Sequence, residues 1–187
     1  LRTVPYSKCD LKLEFQNFED YSIERGNDFF KSRPLTTQEG FFKLRKFCLP
    51  ASKELVNEVF DKFIGDKQIR AAEFGCGAEG CFYNLFLPRK FRKDWQQFDI
   101  NPLFVEHNRK FIRRRFLRRS NVRVGNIYEM PFEDNSLDFV YIDAEHTYNT
   151  VLSDMTLWYP KVKKGGILSG HDFTTTSVGE AVKLFCQ

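Results

Sequence analysis

The chain has 187 residues, 42% of them hydrophobic, and carries 29 Lys+Arg against 25 Asp+Glu for a formal net charge of +4. That length suits one domain with a proper core, and the balance of apolar and charged residues excludes a disordered chain. No run approaches the ~20 consecutive apolar residues of a membrane span, and the opening LRTVPYSKCD lacks the apolar stretch of a secretory signal.

Five cysteines (9, 48, 76, 81 and 186) form no CxxC or Cys/His zinc pattern. Reduced thiols in an intracellular, cytoplasmic setting are expected. Charge is uneven. Between Arg89 and Arg119, eleven basic residues stand against Asp94, Asp99 and Glu106, a local +8 that leaves −4 for the rest.

In chain order, Thr36 or Thr37 is expected to cap a helix to about Cys48, with Pro50 breaking it. Ser52 then caps a second helix with Leu55, Val56, Val59, Phe60 and Phe63 at helical spacing, ended by Gly65. After Gly65 strands and helices alternate. Strands are expected at 69–74, 94–99, 121–125 and 137–142, with helices at 80–87, 103–118, 148–158 and 178–186. A fifth strand, 167–169, follows a Gly165-Gly166 turn. This pattern predicts a Rossmann-like three-layer α/β/α sandwich with a mainly parallel sheet. Residues 1–50 are expected to form an extension capping the acceptor side, and 51–187 the main domain.

Gly75-Cys76-Gly77-Ala78-Glu79-Gly80 matches GxGxxG between a strand and a helix. Asp99 closes the next strand, where a carboxylate can take ribose hydroxyls. NAD fits this fingerprint, but its pyrophosphate on the helix N-terminus would meet Glu73 and Glu79. S-adenosylmethionine brings an ammonium and a sulfonium instead, and favours a carboxylate there.

The ExGxGxxG run, the acid closing the second strand, Gly125-Asn126, Met130-Pro131-Phe132 and Ser136-Leu137-Asp138-Phe139-Val140 resemble class I S-adenosylmethionine-dependent methyltransferases over about residues 35–186. The resemblance implies that Glu73 binds the methionine ammonium, Gly75 and Gly77 admit the cofactor against the backbone, Asp99 binds the ribose, and Asn126 and Ile127 border the adenine. Asn126 stands where the superfamily often has aspartate. That fold normally ends in an antiparallel strand pair. The 18 residues after Ser169 leave room only for a loop and a helix, so the pair is expected to be missing and strand five to be an edge open to a homodimer.

Asp143-Ala144-Glu145-His146 and Ser169-Gly170-His171-Asp172 end strands four and five, on the edge where open parallel sheets bind ligands. Four acids there, Glu73, Asp99, Asp143 and Asp172, repel unless cations sit among them. These segments resemble small-molecule O-methyltransferases of the macrocin and mycinamicin sugar type, with catechol O-methyltransferase more distant. By that likeness Asp143, His171 and Asp172 hold a magnesium-type ion, although His171 stands where the relatives have an acid. His146 matches their general base, and the acceptor is a small-molecule hydroxyl. The alternatives are a helix cap at Asp143, a surface His146, and a polar turn or a metal-free acid–base pair at His171-Asp172. The basic 89–119 segment reads as a solvated helix face or as a patch for RNA or protein, without a recognised RNA-binding signature. A non-catalytic subunit that keeps the fold as a cofactor-binding platform is the third alternative.

Overall fold

The computed structural model describes residues 49–78, 80, 82–116 and 121–187. The helix expected at 36–48, most of the 1–50 extension, Glu79 and Cys81 lie outside these residues. Strand β1 (Ala71–Phe74) is buried along its whole length, as the central strand of a sheet covered on both faces must be. Around it run β2 (Trp95–Asp99), β3 (Val122–Val124), β4 (Leu137–Ile142) and β5 (Val162–Gly170). All pairs are parallel, in the order β3-β2-β1-β4-β5. Ala71 stands opposite both Trp95 and Phe139, and Phe74 opposite both Phe98 and Ile142.

Alternation along the strands sorts the aromatic residues onto two faces. Ala71, Trp95, Phe139 and Tyr141 meet Phe60 of α1 (Leu49–Phe63) and Phe82 on one side. Ala72, Phe74, Phe98 and Val140 meet Phe132 and Trp158 on the other, the latter at the end of α3 (Tyr148–Trp158). α2 (Pro102–Phe116) lies against β2 and β3, with Val105 packed on Val122 and Cys76. α4 (Thr176–Phe185) packs on α3. The result is the expected three-layer α/β/α sandwich.

Helix starts follow local chemistry. Asn101 Oδ1 accepts from Leu103 N at 2.8 Å, and Pro102 takes the first helical position of α2, where its missing N–H is not needed. Thr147 caps α3 through Thr150 N. Gly65, at φ +63°, closes α1 by donating its N–H to Phe60 O at 2.8 Å.

Three expectations are corrected. Ser52 is not a cap, because α1 already includes Leu49 and Pro50; whether Pro50 ends an earlier helix lies outside the described residues. The 80–87 helix is a five-residue π-helical turn, Phe82–Phe86, sealed by Leu87 N to Phe82 O at 2.9 Å. Pro88 stops it and biases Leu87 away from the helical region, while Arg92 donates to the freed carbonyls of Leu87 and Asn84. The double glycine does not precede β5 but lies inside it. Leu137 pairs with Val162 and Phe139 with Ile167, a register shift taken up at Gly165, φ +80°. Among the described residues β5 pairs with β4 alone, so it stands at the sheet edge.

Trp158 is fully buried, 4.1 Å from the Phe74 ring and 5.6 Å from Phe132. Trp158→Ala is expected to destabilise the fold by about 3–5 kcal/mol in urea titration. Trp158→Phe keeps much of the packing and should cost far less.

Candidate active site

The chain leaves β1 for β2 and β3 on one side and returns to β4 on the other, so β1 and β4 flank the topological switch point, where open α/β sheets bind ligands. The glycine loop sits there. Gly75 has φ +72°, and a Cβ on it would lie 2.0 Å from the Asp143 carbonyl oxygen. No other residue fits that approach. Asp143 N in turn donates to Phe74 O at 2.9 Å. Gly77, at φ +64°, donates its N–H to Asp99 Oδ2 at 2.9 Å, tying the loop to the end of β2.

Asp99 is 6% exposed. Its second oxygen accepts from Asn101 N at 2.8 Å. Burial, with a contribution from Asp143, pushes its carboxyl up to about 6, against the pull of those two backbone donors. Gly125 N donates to Asp99 O, placing Asn126 and Ile127 beside it. Asn126 Oδ1 accepts from Tyr128 N, and Ile127 joins the core with only 9% exposure.

Glu73 occupies an unexpected setting. It is 1% exposed and points to the α1 face beneath the loop, where Trp95 Nε1 donates to Oε2 at 2.8 Å and Gln97 Nε2 at 3.2 Å. Burial raises its carboxyl to about 7, with smaller contributions from Asp143 and Asp99. The carboxylate therefore lies behind the loop rather than within it. A polar residue at the inward Gln97 position of an aromatic strand was the sequence sign of this partnership, and it went unread.

At the ends of β4 and β5 the structure brings His146, Asp143 and Asp172 together. His146 Nε2 lies 3.3 Å from Asp143 Oδ1 and 3.3 Å from Asp172 Oδ2, at ion-pair distance but without hydrogen-bond alignment to either. The Asp143 carboxylate beside it, helped by Asp172 and Glu145, raises the His146 pKa against partial desolvation. Ser177 Oγ donates to His146 O at 2.6 Å and anchors this residue to α4. Asp172 is held at φ +55°, and His171 Nδ1 stands 2.9 Å from Asp172 Oδ1. Among the described residues no group of three His, Cys, Asp or Glu is arranged to hold a metal ion. The expected ligands Asp143 and Asp172 instead flank an imidazole.

Sequence reading also missed a buried pair below the site. Tyr128 OH donates to Asp154 Oδ1 at 2.6 Å, joining the loop after β3 to α3. Asp154 is 1% exposed, and burial raises its carboxyl to about 7.

Much of the described basic segment is engaged within the fold. Lys90 pairs with Asp61 and Asp66, Lys110 with Glu106, Arg109 donates to Val122 O and Arg92 lies over the Tyr83 ring. The side chains of Arg113, Arg114 and Arg115, with Arg118 and Arg119, lie outside the described part. Cys76 and Cys186 are free thiols, buried and exposed respectively. No described helix is long and apolar enough to cross a membrane.

A family model described as a methyltransferase domain matches residues 72–173, from β1 through the end of β5. The chain belongs to that family. No curated protein matches the sequence. Among solved structures, this methyltransferase domain is similar to a protein from Pyrococcus horikoshii OT3 (TM-score 0.52, 15% identity, 79% of this chain and 67% of that one). It is also similar to a candidate S-adenosyl-L-methionine-dependent methyltransferase from Methanococcus maripaludis (0.52, 16%, 78% and 67%). A third is a candidate sarcosine dimethylglycine methyltransferase from Galdieria sulphuraria (0.51, 22%, 67% and 47%). The chain thus spans about half the length of some of the structures it resembles, and at these identities the likeness shows the fold.

The buried acids give a testable pH dependence. With pKa values raised in the fold, Glu73, Asp99 and Asp154 bind protons more tightly folded than unfolded. Their contribution to stability is complete below the ordinary carboxylate range and is lost as pH rises to about 7. Glu73→Gln removes one of these groups. Calorimetric melts at about pH 4.5 and about pH 7.5 should show a smaller loss of Tm in the variant than in the wild type. Equal losses would contradict the burial account of Glu73.

Proposed function

We propose that this methyltransferase domain transfers the methyl group of S-adenosylmethionine to a hydroxyl oxygen of a small molecule, with His146 as the base. One observation carries the cofactor choice. Glu73, Asp99 and Asp143 gather around the glycine loop, burial and the neighbouring Asp143 charge raise the pKa values of Glu73 and Asp99, and no cationic side chain pairs with Glu73 or Asp99 among the described residues. Such a cradle suits a ligand that brings positive charge. A dinucleotide pyrophosphate would add to the repulsion; an ammonium and a sulfonium relieve it.

The residues present fit that cofactor. Asp99 would take the ribose hydroxyls on lone pairs its two backbone donors leave free, Asn126 and Ile127 would border the adenine, and the glycines admit the ligand against the backbone. Glu73 would favour the ammonium through its field. When bound, the cofactor supplies an electrophilic methyl group, and the remaining tasks are positioning, exclusion of water and removal of one proton. His146 takes the acceptor's hydroxyl proton on Nδ1, while Nε2, buried between Asp143 and Asp172, keeps its own proton toward them, and the two carboxylates stabilise the imidazolium that results. A resident divalent ion does not fit the arrangement, because His146 stands between the two carboxylates that would have to share it. No step is assigned to a metal.

Calorimetry is expected to show binding of S-adenosylhomocysteine and none of NADH; the reverse would overturn the cofactor reading. In a mass-spectrometric screen of hydroxyl compounds, His146→Ala should lower kcat on any accepted substrate by about 10²–10⁴-fold. Asp143→Ala should also lose turnover while S-adenosylhomocysteine binding stays within about tenfold, or about 1.4 kcal/mol. A chelator should leave the rate unchanged; loss that magnesium restores would replace the acid–base account with a metal-assisted one.

A further inference from the structure

Two apolar cavities meet at the end of β5, and both reach Ser169, Gly170 and His171. One, of about 300 Å³, lies under α1. The other, of about 350 Å³, lies between the sheet and the helices α3 and α4, and of the two it alone is also lined by Asp143, Glu145 and His146. Its walls are hydrocarbon: Ile142 and Leu168 from adjacent strands, Val151 and Met155 one turn apart on α3, Val178 and Val182 one turn apart on α4. Exposed rings of Tyr159 and Phe173 stand at its rim.

We infer that this cavity is the acceptor pocket and that the acceptor is a compact, largely apolar alcohol or phenol of one or two rings. The inference rests on the proposed methyl transfer and names the substrate class for the same site. Polarity is graded along the cavity. Asp143, Glu145, His146 and His171 line it from the ends of β4 and β5, whereas α3 and α4 contribute hydrocarbon, with only the Tyr159 hydroxyl and the Cys186 thiol beyond them; Ser169 Oγ already donates to Val140 O at 3.3 Å. A hydroxyl at the strand ends would reach His146 while its hydrocarbon body replaces water against the walls. A sugar lodged in the same place would lose hydration from several hydroxyls without regaining hydrogen bonds, a penalty that selects against it. The volume also lies near the lower end of the usual range for ligand pockets, about 300–1,000 Å³, too small to enclose a macrolide glycoside.

Met130 and Met155 are the two methionines of the chain, which provides a built-in readout. Met130 packs beside the Asn126–Ile127 loop, and Met155 lines the cavity. In protein carrying ¹³C-methyl methionine, with signals assigned by Met155→Leu, 2-naphthol should shift the Met155 methyl saturably and leave Met130 in place. Methyl β-glucoside should shift neither. Val151→Trp, which fills the cavity, should remove the saturable 2-naphthol shift while S-adenosylhomocysteine still binds by calorimetry. If Val151→Trp fails to fold, the wild-type titration decides. A 2-naphthol titration that leaves Met155 unmoved, or a glucoside titration that moves it, overturns the inference. If S-adenosylhomocysteine binds while 2-naphthol does nothing, only the acceptor class falls; if S-adenosylhomocysteine also fails to bind, the methyltransferase reading falls with it.

Discussion

The approach of the glycine loop to the end of β4 constrains everything built on this sheet. A backbone without a Cβ at Gly75 lets the Asp143 carbonyl close to a distance no side chain would permit, and the Asp143–Phe74 backbone hydrogen bond locks the approach. Gly77 fixes the other side of the loop on Asp99. Three strand ends, those of β1, β2 and β4, are thereby drawn together at the switch point. Each delivers a carboxylate, and burial keeps water from screening those of Glu73 and Asp99.

The same edge divides the chemistry. On the β1–β2 side the acids are buried, already held by backbone and indole donors, and suited to binding rather than proton transfer. On the β4–β5 side the carboxylates of Asp143 and Asp172 remain partly open to solvent and converge on one imidazole nitrogen. An imidazole between two carboxylates is a stronger base than a free one, since either charge favours the protonated form. The apolar cavity that opens beside it supplies a dry wall against which a hydroxyl could lose its proton. These roles form the proposed mechanism, and they follow from which strand ends are buried.

Much of the architecture was legible in the sequence, because strand periodicity, glycine punctuation and helix caps are local signals. The GxGxxG run and the acids after it marked the edge for the same reason. What stayed hidden depended on partners distant in sequence. The pairing of His146 with Asp172 requires β5 to lie beside β4, and the Tyr128–Asp154 bond requires α3 to fold under the β3 loop. The double glycine read as a turn because a bulge inside a strand and a turn before it use the same residues. The motif sets Glu73 at the end of its strand facing the cofactor's ammonium, whereas its neighbours Trp95 and Gln97, one strand away, draw the carboxylate beneath the loop.

The central claim is that uncompensated acids around the glycine loop are there to meet positive charge, and linked protonation tests it most directly. At about pH 6.5, Glu73 and Asp99 are each partly protonated, given values of about 7 and about 6. A cation arriving beside them lowers both, so binding of S-adenosylmethionine must expel protons. Calorimetric titrations in buffers of different ionisation enthalpy count those protons. The account predicts net release, reduced in Asp99→Asn; binding with no linked protons, or with uptake, would contradict it.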